Sequence, residues 1–140
     1  MAPMTIEEWL AVGKERGVDA EAILKDRPAS TGSVYMAGYA IECNLKAYLM
    51  LAGKAFPSAG AAGHDLGNLW KVSGFRKSDI AGDAGCTTFF FDSWSTSLRY
   101  MTMLEPLGIP IQDLVNGAKT IARWIDMQAK RQLKTRRRRY

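Results

Sequence analysis

Apolar side chains at three- and four-residue intervals mark the segment from Val34 to Ala52 as the clearest helix in the chain. Val34, Ala37, Gly38, Ile41, Leu45, Tyr48, Leu49 and Ala52 form one face, and Gly53 is placed to end it. Tyr35, Tyr39, Glu42, Lys46 and Met50 repeat at similar intervals on the other face. A helix with two partly apolar faces is expected to have neighbours on both sides. The second long stripe, Ile111, Leu114, Val115, Ala118, Ile121, Ala122, Ile125 and Ala129, follows Pro110, a residue suited to a first helical turn.

The shorter elements are set by their punctuation. Thr5-Ile-Glu-Glu8 has the pattern of a capping box and opens a helix carrying Trp9 and Leu10, which Gly17 is expected to stop. Asp19 would then cap a second piece, Ala20 to Lys25, ending before Pro28. Asp65 is placed to cap a short helix holding Leu66, Leu69 and Trp70. Phe90, Phe91, Trp94 and Leu98 have helical spacing, so Cys86 to Leu98 is read as helix although its aromatic and β-branched residues also suit a strand. The sum is an all-α, single-domain bundle of four to five main helices over residues 1–133, followed by a basic, flexible tail at 134–140.

Composition narrows the chemistry. A chain of 140 residues has room for one core. A single histidine, His64, and two cysteines leave no zinc-type ligand set and no disulfide framework, so neither metal nor cofactor is expected. Glu42, Asn44 and Lys46 interrupt the most apolar stretch, which argues against a membrane span, and the start MAPMTIEEWL lacks the form of an export signal. A cytoplasmic location is the expectation. The net charge of +5 is unevenly spread: residues 119–140 hold nine basic groups against Asp126, a balance of +8, and the preceding 118 residues stand at −3. Arg136, Arg137, Arg138 and Arg139 could displace counterions from a phosphate backbone, or could simply solubilise a helix end.

The string Ala37-Gly38-Tyr39-Ala40-Ile41-Glu42-Cys43-Asn44-Leu45-Lys46-Ala47 resembles the long helix of HEPN-type domains (higher eukaryotes and prokaryotes nucleotide-binding). Gly63-His64-Asp65-Leu66, then Trp94 with Arg99-Tyr100, then a long apolar C-terminal helix follow in the same order, from about Ser30 to Arg131. The resemblance implies a helical bundle, often a homodimer with a cognate protein partner, acting on RNA or nucleotides in prokaryotic defence or toxin–antitoxin systems. Many such domains are metal-independent endoribonucleases, carrying an arginine and, four to six residues later, a histidine. This chain departs from that signature: Tyr100 to Pro106 follow Arg99 without a histidine.

A rearranged centre would need His64 for proton transfer, Arg99 to clamp a phosphate, and Tyr100 to donate a hydrogen bond or stack on a base. Asp65 would orient the imidazole. Glu42, Lys46 and Tyr39, with Arg99, could line a polar pocket for a nucleotide. Each assignment has a structural counterpart. Asp65 could be only a cap, Glu42 and Lys46 only a charge-balanced strut, and Arg99 only a partner for Glu42. A third reading is a non-catalytic assembly module recruiting another protein through Trp9, Trp70 and Phe89 to Phe91 together with the tail.

Overall fold

The computed structural model describes residues 3, 5–57, 60–80, 84–100 and 108–138, the side chains of Ala84, Arg99 and Arg136 to Arg138 excepted. Thr5 opens the first helix, α1 (Ile6–Asp26), its hydroxyl accepting from the Glu8 amide at 3.1 Å. The expected break at Gly17 does not occur, and α1 is one continuous helix. Gly17 lies 4.0 Å (measured from an added Cβ) from Ala40 of the next helix, so packing sustains α1 where propensity alone would end it. Asp19 pairs with Arg16 at 3.1 Å instead of capping a second piece.

The next helix, α2 (Gly32–Leu51), is the axis of the fold. It closes near Gly53, whose φ of +68° takes the left-handed conformation that glycine tolerates. A single turn, α3 (Gly60–Gly63), precedes α4 (Leu66–Ser73). Asp65 caps α4, accepting from the Asn68 amide at 3.1 Å. A 3₁₀ turn follows at Lys77–Asp79, then the short α5 (Ala84–Thr88).

The helix expected over Cys86 to Leu98 is present only in pieces. From α5 the chain enters a wide π turn at Phe89–Ser93, closed by the Trp94 amide donating to the Phe89 carbonyl at 2.9 Å. Phe89, Phe90 and Phe91 are all buried. An α-helix spreads three successive side chains around more than half its circumference, so burying all three favours a wider turn. Trp94 is then extended, and a 3₁₀ turn spans Thr96–Tyr100. The last helix, α6 (Ile111–Arg138), starts directly after Pro110 and continues through position 134 without a break.

The architecture is an all-α bundle, with no strand among the described residues. Helices α1, α4 and α6 all pack on α2, which therefore uses both of its faces. Val34, Ile41, Leu45 and Leu49 of α2 meet Leu66 and Leu69 of α4 and Leu114, Ile121 and Ile125 of α6 in the main core. Two small residues set the close approaches. A Cβ on Gly38 would lie 2.0 Å from the Trp94 ring, whose Nε1 donates to the Val34 carbonyl at 3.2 Å. A Cβ on Gly13 would lie 2.6 Å from Asn44 Oδ1, so only glycine brings α1 to this distance from α2. Among the described residues, no helix is long and apolar enough to cross a membrane.

Candidate functional site

The polar residues of α2 meet the start of α4 at His64. Glu42 and Lys46 are one helical turn apart and both buried, at 3% and 1% exposure. Lys46 Nζ donates to Glu42 Oε2 at 3.1 Å and sits 4.9 Å above the centre of the Trp9 ring, so the ammonium gains both an ion pair and a cation–π contact. The second carboxylate oxygen, Oε1, is 2.7 Å from His64 Nδ1. One buried carboxylate thus holds an ammonium and an imidazole.

That arrangement sets the tautomer of the neutral histidine. A carboxylate only accepts, so the hydrogen of the neutral ring resides on Nδ1 and the Nε2 lone pair is left over. The His64 side chain is 30% exposed, so the imidazole reaches solvent while its anchor does not. Tyr39 presents an edge-on contact to the ring, with centroids 5.9 Å apart, and its hydroxyl accepts from Tyr35 at 3.1 Å. Trp94 completes the wall, 5.5 Å from Tyr39 and 6.2 Å from Tyr35 between centroids. Gly38, by admitting the Trp94 ring, therefore also shapes the aromatic side of the site.

The imidazole partner differs from the one expected. Asp65, next to His64 in sequence, spends its carboxylate on the α4 cap, and Glu42, twenty-two positions away, takes the ring nitrogen. Glu42, Lys46, His64 and Tyr39 are brought together. Tyr100 is 78% exposed. The Arg99 side chain and those of Arg136 to Arg139 lie outside the described residues, as does the stretch 101–107. Tyr35 and Trp94 are the additions: Tyr35 was marked only by helical spacing, and Trp94 by that spacing and by its place in the resemblance, neither of which set it beside His64.

Other candidates resolve into structure. Trp9, Trp70 and Phe89 to Phe91 are all buried, so they offer no surface to a recruited protein, and the assembly reading loses its aromatic patch. Burial pushes the Cys43 thiol from 9.0 up to about 12, which leaves it an inert core residue. Cys86 is buried inside α5, its thiol donating to the Asp113 carbonyl at 3.4 Å. Among the described residues, no three His, Cys, Asp or Glu side chains converge as a metal site would require. Comparison of the chain with protein-family models, with curated proteins and with solved structures gives no match.

Proposed function

We propose that this chain is a HEPN-like RNA-binding protein whose binding face centres on His64. The observation that carries the reading is the 2.7 Å contact between Glu42 and His64 Nδ1. It holds a partly exposed imidazole in one orientation, with Nε2 directed away from its buried anchor, in edge contact with Tyr39. A protonated imidazole so held donates to a phosphate oxygen, and the half-buried rings of Tyr35 and Tyr39 offer a surface for an unpaired base. The excess of positive charge over residues 119–140 adds a sequence-independent attraction for the backbone. In the same reading the protein is a homodimer, and its setting is a prokaryotic defence or toxin–antitoxin system with a cognate protein partner. Those points rest on the family resemblance alone.

The same contact favours a second reading, a metal-independent endoribonuclease. A base whose tautomer is set by a buried carboxylate is the arrangement that proton transfer needs. His64 Nε2 would take the 2′-hydroxyl proton as that oxygen attacks phosphorus, and the imidazolium so formed would give it to the 5′-oxygen as the P–O5′ bond breaks. Arg99 would neutralise charge on the equatorial oxygens. The two readings separate on His64→Ala and Arg99→Ala assayed for both binding and cleavage of single-stranded RNA in EDTA. A binding protein loses affinity and shows no turnover with either chain. A nuclease loses turnover and retains much of its affinity.

A further inference from the structure

Glu42, Lys46 and a neutral His64 together carry no net charge when the carboxylate is ionised and the lysine protonated. Glu42 and Lys46 are buried, at 3% and 1% exposure, so water and salt screen their charges little. His64 therefore faces a carboxylate whose charge is already balanced by an ammonium 3.1 Å from its other oxygen. A carboxylate left to the imidazole alone would favour the charged ring strongly. One shared with a buried lysine favours it much less.

The remaining charged and titratable groups on this side come from three elements. Asp65, adjacent in sequence, is exposed and accepts from the Asn68 amide. From α1, Arg16 acts on the Cys43 thiol and is itself 3.1 Å from Asp19. Cys43 is held neutral by burial, Tyr39 meets the ring edge-on, and Trp94 beyond it is uncharged. Among the described residues, Lys46 is the cation joined to the ring through one shared carboxylate.

The neutral ring cannot hold a phosphate through Nε2. Its hydrogen is on Nδ1, so Nε2 would meet a phosphate oxygen lone pair to lone pair. A proton taken from solvent by Nε2 turns it into a donor and gives the three side chains a net charge of +1, which the anion offsets. We propose that Lys46 is a positioning residue of the phosphate site: it keeps His64 neutral while the site is empty, so that binding of an RNA phosphate takes up one proton. The proposal rests on the reading of His64 as a phosphate contact.

His64 is the only histidine in the chain, so long-range ¹H–¹⁵N correlation on the labelled full chain reads its ring directly. Without ligand, the neutral ring of wild type should carry its hydrogen on Nδ1. Lys46→Met should raise the pH midpoint of the ring by about 1 unit, the low end of what a charge this close does. Lys130→Met, which removes an exposed lysine of α6, should not move it. Lys46→Gln keeps a donor for Glu42 without the charge and gives the same reading should Lys46→Met not fold. Titration calorimetry with hexauridylate, one pH unit above the wild-type midpoint, in PIPES and in Tris then counts protons. Wild type should take up about one, and Lys46→Met about half as many, because its empty ring is half charged already. An unmoved or lowered midpoint in the folded Lys46 variants, a ring hydrogen on Nε2, or equal proton uptake by wild type and variant would overturn the proposal. Hexauridylate that does not bind would overturn the RNA reading itself, and the ligand-free midpoints would still decide the role of Lys46.

Discussion

Lys46→Met removes the ammonium from a pair in which both groups are almost fully buried. The Glu42 carboxylate would keep its contact to His64 Nδ1 at 2.7 Å but lose the Lys46 donor at 3.1 Å, and Trp9 would lose the cation above its ring. Stranding one member of a buried pair costs about 3–5 kcal/mol. The surviving imidazole contact places this case near the lower figure, about 3 kcal/mol. In a chain of 140 residues that lowers the melting temperature by about 10 °C. Lys46→Met with Glu42→Gln removes both charges and should cost clearly less than the sum of the single changes, because neither partner is left alone. Urea unfolding of the four chains, followed by circular dichroism, gives the coupling directly, and about 2 kcal/mol is expected. A Lys46→Met chain within 1 kcal/mol of wild type, with the double variant simply additive, would refute a buried carboxylate anchored from two sides.

Three further outcomes follow from the same geometry. Gly38→Ala should destabilise by about 2–3 kcal/mol, since overpacking against Trp94 and the weakened indole hydrogen bond outweigh about 1 kcal/mol gained in helix propensity; urea unfolding with near-ultraviolet dichroism checks it. Cys43 should resist alkylation in the native protein at pH 8 and react on unfolding. Because its folded value, about 12, exceeds its unfolded value, the unfolded chain loses the proton first, and stability should fall as pH rises above about 9. If RNA binds, removing residues 134–140 should reduce the slope of log affinity against log salt by about 3.5, as expected for five fewer cations on a single strand; an unchanged slope would place the phosphate contacts elsewhere.

How much of this was legible in the sequence depends on whether the signal was local. The α2 helix, written over Val34 to Ala52 by spacing and closed by Gly53, lies at Gly32–Leu51. The α4 cap at Asp65 was equally local, one carboxylate three residues before the amide it serves. Gly17 carried a stop signal that the contact with α2 overrode, and no pattern within α1 reveals that neighbour. Phe90, Phe91, Trp94 and Leu98 have helical spacing, but the burial of Phe89 to Phe91 together arises only in the tertiary fold, where Trp70, itself packed on Phe75 and Trp124, stacks on Phe91. The site divides the same way. The Glu42–Lys46 pair follows from a four-residue interval, whereas the Glu42–His64 contact requires the turn that brings α4 back along α2. Adjacency made Asp65 the natural partner of His64, and its use as a helix cap left that position to Glu42.

The most direct test is a labelled single-stranded RNA assay in EDTA with wild type, His64→Ala, Glu42→Gln and Arg99→Ala, each first shown to be folded. It scores retention on a filter and cleavage on a gel. The account predicts that wild type retains RNA and that His64→Ala and Glu42→Gln weaken retention in parallel, because Glu42 acts through the ring it holds. Folded wild type that neither retains nor cleaves any of several RNAs, or a Glu42→Gln chain that behaves as wild type while His64→Ala fails, would contradict it.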